Sequence, residues 1–114
     1  MIEHPAFILI EPHLYMHFFF QDLNHWVTGW LDWNLALDEK GGPNWSGNFV
    51  DSPIIINKTA NEFYKQPTYY AMGHFSKYIP ENSVRIDINV VDKKIFGAAF
   101  LRPDGMRVVV ILNR

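Results

Sequence analysis

The stretch from Gly29 to Ile56, GWLDWNLALDEKGGPNWSGNFVDSPIII, limits what this chain can fold into more than any other. Val27 to Leu37 is mostly apolar with small polar interruptions. That is the pattern of a strand covered on both faces, which requires strands beside it, and the sequence offers no evident neighbour. Asp38 to Ser52 then holds Gly41, Gly42, Pro43, Asn44 and Gly47, a density of turn formers that predicts a long loop. In barrel-type folds such loops, at the C-terminal ends of parallel strands, build the sites. Three of the four tryptophans, Trp30, Trp33 and Trp45, fall within sixteen positions, interleaved with Asp32, Asn34, Asn44 and Asn48. Indoles stack on the apolar faces of sugar rings while fixed polar groups bind the hydroxyls. Composition alone favours a plainer reading, with core tryptophans and turn-forming asparagines.

On the N-terminal side, Leu14, Phe18, Leu23, Trp26 and Val27 come close to helical spacing and predict a helix over Leu14 to Val27 leading into the Gly29 turn. On the C-terminal side, Pro53 to Asn57 predicts a short extended segment. Thr59 and Glu62 have the spacing of a capping box before a helix from about Asn61 to Ile79. Pro67 lacks an N–H and is tolerated only near a helix start, so the regular part should begin close to Gln66. Ala71, Met72, Phe75, Tyr78 and Ile79 form an apolar stripe, Gly73 implies close backbone packing, and Pro80 ends the helix. Val84 to Val91 alternates as a strand does, and Phe96–Leu101 and Met106–Leu112 flank Pro103-Asp104-Gly105 as a hairpin. The pattern switches from α/β to all-β near residue 82, an expected domain boundary.

At 114 residues the chain could be one small domain, whereas a (β/α)8 barrel needs ~250 residues, so if its strand and helix belong to such a barrel it is expected to be a fragment. Ten basic and twelve acidic residues are spread along it, for a formal charge of −2; no basic patch points to nucleic acid or an anionic membrane surface. Cysteine is absent, which excludes a disulfide framework or thiol catalysis within these residues. The N-terminal FILI and FFF runs are broken by Glu11 and Pro12 and have no Lys or Arg before them, so they read as neither signal peptide nor membrane span.

The Gly29–Ile56 run resembles the segment that follows the catalytic nucleophile in the glucosylceramidase (acid β-glucosidase) family of retaining glycoside hydrolases. FYKQPTYYAMGHFSKYIPENSVRI, Phe63 to Ile86, is similar to that family's last barrel helix and its exit, and RPDGMRVVVILNR, Arg102 to Arg114, to a hairpin of its β-sandwich. The resemblance runs from about Asp22 to Arg114. It implies the last strand and helix of a (β/α)8 TIM barrel over residues 22–82, part of an antiparallel β-sandwich over 83–114, and an unmatched segment over 1–21, for which a wrongly chosen start or translated non-coding sequence is the expectation. The implied parent cleaves glucosylceramide in the lysosome, at a membrane surface, with a saposin-type activator, and needs no cofactor or metal.

The same resemblance implies that Trp33 lines the glucose subsite and that the Asn48 amide reaches into it, with Trp45 and Phe49 at the pocket rim. Retaining chemistry uses two carboxyl groups ~5–5.5 Å apart; the resemblance puts the family's acid/base in an Asn-Glu-Pro motif several strands upstream and its nucleophile on the strand before the one carrying Trp33, so both would precede Met1 and the chain alone is expected to be inactive. Asn61-Glu62-Phe63 lacks the proline of that motif and corresponds to the family's helix start, and Glu11 is too close to Gly29 for the nucleophile. Asp32 and Asp51 read as carboxylates that orient their neighbours. His13 and His17 have the i, i+4 spacing of a zinc pair but no intervening glutamate of an HExxH motif; His25 and His74 read as packing or hydrogen-bonding residues. Asn44-Trp45-Ser46 and Asn57-Lys58-Thr59 fit the N-glycosylation pattern, Asn57 being the better placed. The alternatives are a non-catalytic carbohydrate-binding or structural module and a truncated product without stable structure.

Overall fold

The computed structural model describes residues 12–113. The elements run α1 (Pro12–Asn24), β1 (Ala36–Asp38), β2 (Ile54–Asn57), β3 (Glu62–Lys65), α2 (Pro67–Ser76), β4 (Val84–Ile86), β5 (Ile95–Leu101) and β6 (Arg107–Asn113). They form two three-stranded sheets, ordered β1-β2-β3 and β4-β5-β6.

The first sheet departs from the sequence expectation in two ways. β1 does find a parallel neighbour, β2, in the register Ala36↔Ile54 to Asp38↔Ile56. Residues 27–35, expected as the body of the strand, are irregular instead. An extended segment is held as a strand by ladder hydrogen bonds, and among the described residues no strand pairs with 27–35. The predicted capping box also does not form. Glu62 opens β3, which pairs antiparallel with β2 from Ile54↔Lys65 to Asn57↔Glu62. The reversal between them is held by Asn57 Oδ1, which accepts from the N–H of Thr59 (3.1 Å) and of Ala60 (2.9 Å), while Asn61 takes the left-handed conformation (φ 55°).

The helix therefore starts at Pro67, with Gln66 as its extended N-cap residue, as the missing proline N–H requires. Its last turn tightens through the N–H groups of Tyr78 and Ile79, both bonded to the Phe75 carbonyl (3.2 and 2.9 Å), before Pro80 ends it.

β5 and β6 form the expected hairpin, paired from Ile95↔Asn113 to Leu101↔Arg107. Its turn closes with Arg102 N–H to the Met106 carbonyl at 2.8 Å, and Gly105 supplies the φ of +82° that the turn needs. The expected strand Val84–Val91 ends at Ile86, opposite Ala99. Beyond it the chain climbs over the sheet: a Cβ built on Gly97 would meet Val90 Cγ2 at 2.9 Å and Ile88 Cδ1 at 3.3 Å. A segment lying over a strand's face is no longer beside it to pair with.

One aromatic core joins these parts. Tyr15, Phe19 and Phe20 of α1, Ala71 and Phe75 of α2, Ala98 and Phe100 of β5, and Val110 and Leu112 of β6 form a single buried cluster. Phe19 stacks on Phe75 at 4.8 Å with 10° between planes, and Phe20 meets the same ring edge-on at 5.3 Å. At the C-terminal end of α1, Asn24 Nδ2 donates to the Gly97 carbonyl (3.1 Å), and Arg85 Nε donates to Asn24 Oδ1 (3.1 Å).

Phe20 is 1% exposed, so Phe20→Ala should cost roughly 3–5 kcal/mol through lost burial and the cavity left behind; chemical denaturation measures it. Among the described residues the close packing expected at Gly73 is absent, since a Cβ there meets none of their atoms within 4 Å. Gly73→Ala should accordingly stabilise α2, by roughly 0.5–1 kcal/mol in the same experiment.

Candidate functional site

The residues singled out for sugar contact stand on two solvent-facing pieces of chain. Trp33 lies in the irregular segment before β1 and is 77% exposed, while Trp45 (99%) and Phe49 (62%) project from the loop between β1 and β2, with Asn48 exposed between them. Exposed indoles of this size are unusual in the absence of a ligand or partner.

What fixes the backbone beneath these side chains is a set of polar residues that turn inward on it. Asp38 holds the entry to the loop: its Oδ1 accepts from the N–H of Lys40 (2.9 Å) and of Gly42 (2.8 Å), and its own N–H donates to the Gly42 carbonyl (2.7 Å). Gly41 sits at φ +77°, where a Cβ would strike the Val50 carbonyl oxygen at 2.9 Å. The far side of the loop is thereby folded back against its start, and a side chain at 41 is excluded.

The loop tip is organised by Asn44, whose Oδ1 accepts from Ser46 N–H (3.1 Å), Ser46 Oγ (3.2 Å) and Asn48 N–H (3.2 Å), while its Nδ2 donates to the Asn48 carbonyl. The exit is held by Asp51, which accepts from Ser52 N–H (2.8 Å) and from Gln66 Nε2. Gln66 also donates from Nε2 to the Ser52 carbonyl (3.0 Å) and from its N–H to the Pro53 carbonyl (2.9 Å), tying the loop to the start of α2.

On the other piece, Asp32 Oδ1 accepts from Trp33 N–H (2.8 Å) and Oδ2 from the Tyr15 hydroxyl (2.5 Å). Trp30 is turned inward, with Nε1 donating to Asp22 Oδ2 at 2.9 Å and its ring 4.0 Å from Phe19. Asp32 and Asp51 thus orient neighbours, as their setting in the sequence implied. Glu62 accepts from the Tyr64 hydroxyl (2.8 Å) in the β2–β3 hairpin, and that bond raises the phenol's pKa.

The described concavity of about 840 Å³ lies elsewhere, between the Trp30–Leu35 segment and α2, lined among others by Leu31, Asn34, Leu35, Tyr70 and Tyr78. Trp33, Trp45, Asn48 and Phe49 are not part of its lining. Leu31 and Leu35 are 88% and 76% exposed there, so much of the groove is uncovered apolar surface, with Asp32, Asn34, His74 and Lys77 also at its wall.

Of the histidines, His17 packs on Phe96 at 4.8 Å. His25 and His74 each donate from Nδ1 to the carbonyl four residues earlier, Gln21 (2.5 Å) and Tyr70 (2.7 Å). No group of three potential metal ligands occurs among the described residues, and no helix among them is long and apolar enough to cross a membrane. Asn57, in the second glycosylation triplet, sits at the tip of the β2–β3 hairpin, whereas the Asn44 amide nitrogen is already bonded inside its own loop. Tyr15, Asp22 and Asp38 were not singled out from the sequence. The tyrosine and Asp22 acquire their roles only when α1 meets segment 30–33, and Asp38 carries the ordinary signal of an acidic residue preceding a glycine turn.

Residues 12–79 match the glycosyl hydrolase family 30 TIM-barrel domain, and residues 82–114 the glycosyl hydrolase family 30 beta sandwich domain. The first match begins in α1, ten residues ahead of the point where the sequence resemblance was placed. The chain is 54% identical over 101 residues to the lysosomal acid glucosylceramidase of Mus musculus, covering 88% of this chain and 20% of that one. It is 28% identical over 97 residues to the endo-1,6-beta-D-glucanase neg1 of Aspergillus fumigatus, covering 80% of this chain and 20% of that one. The crystal structure of SrfJ from Salmonella typhimurium superposes on all of the chain with a TM-score of 0.89 at 29% identity, using 26% of its own length. The chain spans about a fifth of the length of the curated relatives it matches.

Asp38 gives this loop a defined response to acid. The N–H groups of Gly42 and then Lys40 hold its carboxyl below the ordinary 3.8, with Lys58 and Lys40 adding to the effect. A folded-state value below the unfolded one stabilises the loop above the unfolded pKa, and that contribution is lost as pH falls through the folded one. Amide protection at Lys40 and Gly42 should therefore be unchanged from about pH 7 to 5 and fall only below about pH 4. Asp38→Ala should abolish it at every pH, as NMR hydrogen exchange would show.

Proposed function

This chain belongs to glycosyl hydrolase family 30, and from that premise we propose that it supplies the sugar-contacting edge of a glucosylceramidase, which hydrolyses the β-glucosidic bond of glucosylceramide to glucose and ceramide. The observation that carries this reading is the 54% identity to the mouse lysosomal acid glucosylceramidase over 88% of the chain, a span that includes both Trp33 and the Asn44–Asp51 loop.

In a retaining hydrolase a carboxylate attacks the anomeric carbon while a carboxylic acid gives its proton to the departing oxygen; water then releases the sugar, with the second group now acting as base. Around the candidate site Asp32, Asp38 and Asp51 each accept two hydrogen bonds that hold backbone and neighbouring side chains in place, and we read them as scaffold groups. We assign the reacting pair to polypeptide beyond these 114 residues, and the chain alone is expected to have no turnover. Trp33 would stack on the glucose ring and the Asn48 amide would bond its hydroxyls. Trp45 and Phe49 would form the rim where the lipid portion leaves the pocket. A lysosomal setting, a substrate presented at a membrane surface, a saposin-type activator and a glycan on Asn57 belong to the same reading.

The reading is tested in the intact enzyme with an aryl β-glucoside. Trp33→Ala should raise KM roughly ten-fold, the equivalent of ~1.4 kcal/mol of lost binding, with unchanged thermal stability because the indole is not part of the core. Unaltered kinetics would sink the subsite assignment and favour the alternative of a non-catalytic carbohydrate-binding or structural module.

A further inference from the structure

We infer that Tyr15 and Asp32 form a positioning device that aims the Trp33 indole; the inference rests on the sugar-subsite reading of Trp33 given above. Trp33 is 77% exposed, and the segment that carries it is irregular, so neither core packing nor a ladder holds its backbone. An aromatic platform that bends or turns before each encounter loses binding energy to its own ordering. Something local has to replace the missing ladder.

The replacement is a two-point clamp onto α1. Asp32 is bidentate, with Oδ1 on Trp33 N–H (2.8 Å) and Oδ2 on the Tyr15 hydroxyl (2.5 Å). With both oxygens engaged, the carboxylate is locked in rotation and the Trp33 peptide with it. The second point is Trp30 Nε1 on Asp22 Oδ2 (2.9 Å). Tyr15 and Asp22 lie on α1 about two turns apart, hence on one face of the helix, and segment 30–32 runs antiparallel to that face.

Tyr15 is itself packed in the core. It is 5% exposed, and its ring is edge-on to both Phe19 and Trp30, each at 5.4 Å. Burial and the facing Asp32 raise the phenol's pKa far above its ordinary value, so the hydroxyl remains a donor throughout the working pH range. Buried as it is, Tyr15 acts only through Asp32 on the direction of Trp33.

The test is a double-mutant cycle in the intact enzyme, reading KM and kcat for an aryl β-glucoside together with the thermal midpoint. Tyr15→Phe keeps the buried ring and deletes only the donor. It should raise KM about three- to ten-fold and leave kcat within about two-fold, the pattern of lost uniform binding. In a Trp33→Ala background the same change should have no further effect on KM, because its target is gone. Asp32→Asn, which retains one acceptor and loses the other, should shift KM in the same direction and decides the matter should Tyr15→Phe fail to fold. The positioning role is overturned if Trp33→Ala raises KM while Tyr15→Phe does not, or if Tyr15→Phe costs as much with Trp33 absent as with it present. If Trp33→Ala itself leaves KM unchanged, the subsite reading fails first and the device loses its purpose.

Discussion

The parallel stack of Phe19 on Phe75 is the contact on which the rest of this structure depends. Around it α1, α2, β5 and β6 place their apolar side chains in one cluster, although the helices fall in the region matched to a barrel and the strands in the region matched to a sandwich. A 10-residue helix and a two-strand hairpin bury too little separately to offset the entropy of ordering them. Joined through large aromatic rings, they share one buried interior, and the polar contacts of Asn24 with Gly97 and Arg85 close its edge. The family boundary near residue 80 therefore divides the sequence without dividing the core.

How much of this was legible in the sequence depends on the range of the interactions responsible. The hairpin, its Pro-Asp-Gly turn, the start of α2 at Pro67 and the long loop after Asp38 all follow from local backbone restrictions of Pro and Gly, which act within a few residues. Glu62 was misassigned because Thr59–Glu62 carries a true helix-start spacing, and only pairing with Ile54–Asn57 makes the segment a strand; a non-local ladder overrides a local signal. The strand expected over 27–35 failed for the complementary reason, since its apolar character specifies burial between neighbours and the described residues supply none there. β4 was cut short by Ile88 and Val90 packing over Gly97, where the missing side chain makes room.

At the candidate site, the exposed aromatic and amide groups were readable as residue types, while the groups that hold them were not. Tyr15 looks in the sequence like one more member of an apolar helix face. It becomes a donor to Asp32 only once the chain has reversed between residues 24 and 30, a reversal in which Trp26 adopts a φ of 68° that no local pattern announced. Asn44 was read as a glycosylation candidate from its triplet, yet its side chain is consumed in bonding the backbone of residues 46 and 48.

A division of labour follows from these contacts. Asp32, Asp38, Asn44 and Asp51 direct their polar atoms at backbone N–H groups, and Trp33, Trp45 and Phe49 are left facing solvent on the segments so fixed. Had the aromatics been placed by hydrophobic packing, they would have been buried and unable to meet a ligand. Because hydrogen bonds accepted by carboxylates and an amide oxygen hold the backbone that carries them instead, the apolar surface stays outside at a defined position, where a ligand that covered it would relieve its exposure cost. The interior stack and the polar clamps are two answers to the same requirement. Rings that organise the fold are held by other rings, and rings left facing solvent are held through the backbone, with Tyr15 linking the two: its ring lies in the core and its hydroxyl donates to Asp32.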